Sequence, residues 1–368
     1  MTTKISRNLN CAHHVATVLI LLCAWSSQAA EAPYFEGKTV TVIMGLDASA
    51  GGTSVGRLLA KHLESTLEGD PTVVVKNMPG ASLMKAQLYV LLKAPKDGST
   101  IYYGPRSSLG ELLELPGHTF KYTQFEALGG VQIAGLVVYA RNDSVSGGMK
   151  GPSDIVNADH LLFSGMSPDH GRMIISTLGL RLLGAEYTYI PGYPSSGATR
   201  AAIMSGETNV TVDAAHAFLN QVVPGFVKNG EGQGVFSVPH YSANGELVAS
   251  SLVLDVPSLP VLYEQINGQA PAGPVWDAIV SLIRIDQTMQ HVFLGPPGMN
   301  QAAAAELRAA LMDAFVTESF RQEARKMLSF VPQPVDHERA IDILKSTADV
   351  SPEVLQLLRN HIETNSRY

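Results

Sequence analysis

Four short runs in this sequence set glycine, serine or threonine between an apolar β-type run and a helical pattern, and each could hold an anion. The first is Leu46-Asp47-Ala48-Ser49-Ala50-Gly51-Gly52-Thr53-Ser54. Small side chains let a ligand approach the backbone, and Thr53 or Ser54 can cap the helix that follows. Free amides and the positive end of the helix dipole suit a negative charge, worth up to ~2 kcal/mol in a partly buried setting. The second run is Gly104-Pro105-Arg106-Ser107-Ser108. Arg106 can pair with a carboxylate through two nitrogens, and Ser107 and Ser108 supply hydroxyl donors. The third, Ser164-Gly165-Met166-Ser167-Pro168-Asp169, offers Ser167 or Asp169 as a cap, and the fourth, Gly192-Tyr193-Pro194-Ser195-Ser196-Gly197, precedes another helix. Asp213 closes a β-type run, where a buried acid needs a partner and can orient a ligand hydroxyl or a water. Taken singly, each run also fits an ordinary capped turn or, for Arg106, a solvated surface arginine. Four of them in two successive α/β units carry more weight than any one.

Catalytic motifs do not assemble. Ser82-Leu83-Met84-Lys85 has the spacing of penicillin-recognising enzymes, but their other two elements are missing. The run at Gly165 lacks the second glycine of a nucleophile elbow. There is no phosphate loop, dinucleotide fingerprint or two-histidine zinc helix, and His160, His170 and His216 stand without ligand spacing. Catalytic residues, metal and cofactor are therefore all read as none.

The elements that would position these loops alternate between strand and helix. Lys38 to Gly45, Thr72 to Lys76 and Thr100 to Gly104 read as strands. Between them, Thr53 to Leu67 places Val55, Leu58, Leu59, Leu63 and Leu67 on one helical face, and Leu83 to Leu92 forms a second helix. The pattern returns with strands at His160 to Ser164, Tyr187 to Ile190 and Asn209 to Asp213, and helices at Arg172 to Leu183, Ala198 to Met204 and Ala215 to Val223. A strand at His291 to Leu294 follows, then helices at Ala302 to Phe315, Phe320 to Leu328, Arg339 to Thr347 and Pro352 to Ile362, and a polar tail from Asn365. Such alternation predicts α/β architecture with mostly parallel sheets, and two units in series fit two lobes. Ligands of open α/β sheets sit outside the carboxyl ends of the strands, where these loops lie.

The 368 residues are 45% apolar and 16% charged, with 33 glycines and 21 prolines spread throughout, an ordinary globular composition long enough for two domains. The start differs. Lys4 and Arg7, an apolar run from Val15 to Trp25 and the small residues of Ser27-Gln28-Ala29 make a secretory signal peptide over residues 1–29, cleaved after about Ala29. Both cysteines, Cys11 and Cys23, fall within it, so the mature chain has no thiol chemistry. Removing Lys4 and Arg7 takes the net charge from −7 to −9, which argues against a nucleic-acid partner.

Longer stretches resemble the periplasmic receptors of tripartite tricarboxylate transporters, the Bug or TctC-like proteins. The opening KTVTVIMG and AGGTS, the block PTVVVKNMPGASLMKAQLYVLLKAPKDGSTI, the stretch YIPGYPSSGATRAAIMSGETNVTVD and FLGPPGMNQAAAAELRAALMDAF carry the resemblance from about Tyr34 to Ile362. Asn77 to Ala81 and Ala94 to Gly98 are its most specific parts. It implies a type II periplasmic-binding-protein fold, two α/β lobes with a ligand cleft between them. Residues 34–137 plus 289–368 would form the first lobe and 138–288 the second. It implies a periplasmic monomer that performs no chemistry, binds a small organic carboxylate and delivers it to membrane permease subunits. Carried over by position, the ligand-binding residues are Gly51, Gly52, Thr53, Ser107, Ser108, Gly165, Ser167, Tyr193, Ser195 and Asp213, to which the residue reading adds Ser54 and Arg106.

Some positions depart from the family pattern. Thr53 stands where many members have an aspartate, Asp47 to Ala50 replace a G-x-P-G-G-type run, and Asn209 replaces an acid. These changes bear on which acid is preferred. Two alternatives stay open: an exported serine hydrolase using Ser167 or Ser107 with His170, and a sensory receptor of the same fold.

Overall fold

Each β-type run of the sequence enters one of two main sheets. The computed structural model describes residues 32–48, 50–106, 108–115, 117–133, 135–242 and 244–367. The expected signal peptide and Ser107 lie outside the described residues. The strands are β1 (Thr39–Met44), β2 (Thr72–Asn77), β3 (Thr100–Pro105), β4 (Glu126–Gln132), β5 (Leu136–Arg141), β6 (Leu161–Ser164), β7 (Tyr187–Ile190), β8 (Val210–Ala214), β9 (Gly232–Ser237), β10 (His240–Tyr241), β11 (Leu247–Val248), β12 (His291–Gly295) and β13 (Gln333–Val335).

The first sheet runs β13-β4-β12-β3-β1-β2 and the second β7-β6-β8-β5-β9, with β10 and β11 as a small separate pair. Set side by side, the two main sheets share one plan. Three parallel strands lie in the order second, first, third, as β2-β1-β3 and as β7-β6-β8. Next comes one antiparallel strand, β12 in the first sheet and β5 in the second, then one more strand, β4 or β9. In each sheet the antiparallel strand follows directly on a passage of the chain from the other sheet. The chain leaves the first sheet after β4 and returns to it at β12. The two passages are tied together, since the Ile133 amide donates to the Gln290 side chain at 2.6 Å.

Helices cover both faces of each sheet, as strands buried on both sides require. The first, α1 (Gly51–Thr66), places Val55, Leu58, Leu59 and Leu63 in the core with at most 2% exposure. Full burial of such a side chain contributes roughly 1.5–3 kcal/mol before entropy is charged against it. On the same side lie Gln301–Val316 and Glu318–Leu328, while Met84–Lys93 and His337–Lys345 cover the opposite face. The second sheet is covered by α2 (Gly171–Leu183), Leu259–Asn267 and Pro274–Leu282 on one side. On the other are α3 (Ser196–Ser205) and a helical segment that begins with one α turn, Ala215–Ala217, and continues as a wider π-type stretch, Phe218–Val227.

The last helix, α4 (Pro352–Asn365), belongs with the second sheet's core, although the sequence reading grouped its residues with the first lobe. Val354 and Leu358 are buried there, and Tyr187 of β7 donates to Asn365. His361, 4% exposed, meets the Thr177 hydroxyl of α2 at 2.8 Å. Burial pushes the His361 imidazole down to about 4, with the charge of Arg181 acting the same way.

Because that value lies below the unfolded one, the unfolded chain binds more protons than the native state at acid pH. Stability supplied by the neutral imidazole is therefore whole above pH ~6.5 and is lost as pH falls toward about 4. One such group adds a slope of up to ~1.4 kcal/mol per pH unit. Urea unfolding at pH 7, 6, 5 and 4 should show stability falling with pH, and His361→Gln should flatten the curve in that window. An unchanged slope would remove His361 from the account.

Candidate ligand site

The loops that follow β1, β6 and β7 each run into a helix N-terminus. Helix α1 begins after Ala50, whose side chain makes no cap bond, and the Thr53 amide donates to the Ala50 carbonyl at 2.9 Å. Neither Thr53 nor Ser54 serves as the cap. Thr53 is fully buried, and its hydroxyl donates to the Asp47 carbonyl at 2.6 Å, bracing the glycine loop from within. At Gly52 a Cβ would stand 2.6 Å from Cε1 of His291 and 2.6 Å from Cδ1 of Leu46. A glycine is thus needed for the helix start to lie against the His291 ring.

His291 opens β12 and is 7% exposed. Its Nδ1 meets the Tyr103 hydroxyl at 2.8 Å, and the two rings pack edge to face with centroids 5.1 Å apart. Burial, with the charges of Arg172 and His216 adding to it, pushes this imidazole down to about 3, so it is neutral at pH 7. His216, just beyond β8, is pushed down to about 4 by burial and by Arg172 and Arg200. Its buried Nδ1 is unpartnered among the described residues, and its ring lies 5.1 Å from that of Phe330, which belongs to the first sheet's core. Near it, Asn220 and Ser329 exchange hydrogen bonds of 2.9 and 3.1 Å. Elements of the two sheets therefore meet around His216 and His291.

From the second sheet comes a guanidinium pair. Asp213, at 0% exposure, accepts from Nε and Nη2 of Arg200 at 3.0 Å each and from the Tyr139 hydroxyl at 3.0 Å. Burial holds its carboxyl above the usual range, while Arg200 acts in the opposite sense. Arg172, in the first turn of α2, donates to the Ser196 hydroxyl at 2.8 Å and makes no ion pair among the described residues. Its charge reaches Asp213, His216 and His291. Two guanidiniums set against one carboxylate leave at least one positive charge unanswered where the two sheets meet. Such a place suits an anion, and among the described residues it pairs no nucleophile with a base.

The remaining candidates read from the sequence have other surroundings. Arg106, 7% exposed, donates to the Ile285 carbonyl and feels the charges of Asp286, Tyr122 and Glu111. Ser108 donates to Asp286. Both therefore tie the end of β3 to the segment that leads back to the first sheet. Gly165 leaves room for the Tyr189 ring, whose hydroxyl would lie 2.1 Å from a Cβ there. Ser167 is exposed and donates to Asp169, and His170 Nδ1 accepts from the Arg172 amide as the cap of α2, so Ser167 and His170 do not form a catalytic pair. The Tyr193 hydroxyl donates to Glu207 at 2.6 Å, and Ser195 caps α3 through the Ala198 amide. Gly51 opens α1, and Ser54 lies in its first turn.

Sequence reasoning passed over Arg172, Arg200 and His291, yet one signal was present. A cation in the first turn of a helix opposes the helix dipole, so Arg172 is placed against local preference unless something negative faces it.

No protein-family model matches the sequence, and no curated protein matches it. Solved structures do. MatC from Rhodopseudomonas palustris, with bound malate, is 17% identical over 88% of this chain and 99% of its own, with a TM-score of 0.60. The periplasmic binding protein BugD is 17% identical over 88% and 97%, also with a TM-score of 0.60. A TctC solute binding protein from Polaromonas is 13% identical over 88% and 98%, with a TM-score of 0.58. Likeness at these identities establishes the fold, an α/β architecture of the periplasmic-binding-protein kind, as the sequence implied.

Arg200→Met would leave Asp213 buried without its cation, which costs about 3–5 kcal/mol. Urea unfolding at pH 7 should show a loss of that size, and adding Asp213→Asn should recover most of it. A single variant as stable as the parent would show that Asp213 does not depend on Arg200.

Proposed function

We propose that this protein is an exported solute-binding receptor of the tripartite tricarboxylate transporter family. In this reading residues 34–137 with 289–368, and residues 138–288, supply two lobes that close on a small organic carboxylate, with α4 crossing over to pack on the second. The liganded receptor presents its cargo to membrane permease subunits and does no chemistry on it. The observation that carries the reading is the surplus positive charge where His291 of the first sheet, packed against Gly52, feels Arg172 of the second. Support comes also from the fold shared with MatC, which was solved with malate, and with an R. palustris protein solved with adipate. The pieces of sequence quoted above favour the same family.

A ligand that touches both lobes stabilises the closed arrangement by its differential affinity alone. A thermal-shift screen of the mature chain against dicarboxylates, tricarboxylates, aromatic acids and amino acids is the direct test. A true ligand at 100 times its Kd should add ~2.7 kcal/mol of stability. No stabilisation by any class would overturn the solute assignment. Gly52→Val should weaken binding at least tenfold in titration calorimetry, because its side chain would displace His291 and Leu46 at the helix start. Unchanged affinity would take the glycine loop out of the site.

A further inference from the structure

The charges at the junction are arranged so that one guanidinium is held back. Asp213 is the acid that could neutralise Arg172, but its two oxygens already take both nitrogens of Arg200 and the Tyr139 hydroxyl. Arg200 is also committed on its far side, to the Gln221 side chain. What remains to Arg172 is the neutral Ser196 hydroxyl, which orients the guanidinium without discharging it. A guanidinium keeps its charge even where burial opposes it, as it does here against the support of Asp213. Across from it, the ring of nine-tenths-buried His291 lies against Gly52, in the first turn of α1.

We propose that Arg172 is the specificity-determining residue of the site, forming a direct ion pair with a carboxylate of the ligand. This rests on the receptor reading and sharpens it: the cargo is selected by a side-chain charge as well as by amides and hydroxyls. Arg200, Asp213 and Tyr139 are positioning residues, since their closed set of bonds keeps Arg172 available. Ligands in which that carboxylate is an amide or ester are rejected, because they cannot answer the charge. A carboxylate presents two coplanar oxygens that match the guanidinium fork.

The test uses the mature chain, with succinate, citrate and benzoate as probes in titration calorimetry, followed by the monoamide of whichever acid binds. Arg172→Met should lose about 30-fold or more in affinity for the acid, equivalent to ~2 kcal/mol. It should also bind acid and amide within a few-fold of each other, whereas the parent prefers the acid strongly. Arg172→Lys should regain part of the preference, because it restores charge without the fork. Melting curves of the unliganded variants separate lost contact from lost fold. If the parent binds an acid and Arg172→Met binds it equally well, the ion pair is wrong and the receptor reading stands. If the parent binds none of the acids, both fall.

Discussion

Asp213 stands wholly buried at the end of β8, and a carboxylate in that position is tolerated only where its charge is answered. Arg200 reaches it from α3 with two nitrogens, and Tyr139 adds a hydroxyl from β5. This one set of bonds joins the neighbouring strands β5 and β8 and the helix that precedes β8. It also decides the electrostatics of everything nearby. With Asp213 saturated, Arg172 has no acid of its own among the described residues, and the two histidines that feel its charge are held neutral. The chemistry of the junction is thus set by one desolvated group and by which cation reached it.

The repeated plan of the two sheets explains why such a junction exists. In each, three parallel strands send their ends toward loops that start helices, and an antiparallel strand enters immediately after the chain has passed from the other sheet. The passages at Ile133 and Gln290 are bonded to one another. They require close packing on the first-sheet side, where a Cβ on Gly130 would lie 2.2 Å from Met289 sulfur. Gly130 is therefore a packing residue that lets Met289 and the start of β12 lie flush against β4. The same logic places Gly52 against His291, where closeness of backbone to ring is what brings a helix start to the charged cluster.

Much of the architecture was legible from side-chain pattern alone. The parallel strands β1, β2, β3, β6, β7 and β8 are β-branched or aromatic runs bounded by turns, and α1 shows its buried face in Val55, Leu58, Leu59 and Leu63. Strands β4 and β9 were harder to see because Gly129, Gly130, Gly232 and Gly234 interrupt them, and glycine carries no hydropathy signal. The π-type turn of Phe218–Val227 was read as ordinary helix, since its apolar spacing is similar and only the hydrogen-bond offset differs. At the candidate site, the need of Asp213 for a partner was evident from its place at a strand end. The identity of that partner was not, because Arg200 is thirteen residues away in sequence and reaches Asp213 only through the fold. Arg106 was singled out by its type; its Nη2 donates to the Ile285 carbonyl, while its buried Nε and Nη1 have no partner among the described residues.

The position of α4 has a consequence for how the molecule comes into being. Its Val354 and Leu358 join a core whose other members begin at Leu109 and Leu136, so this part of the second sheet's cover comes from residues more than 200 positions further along the chain. Pairings so distant along the chain are slow to form, since loop closure must precede any reward from contact. A core that closes with so late a helix gains its rigidity slowly, because part of the second sheet's cover waits for the most distant contacts along the chain.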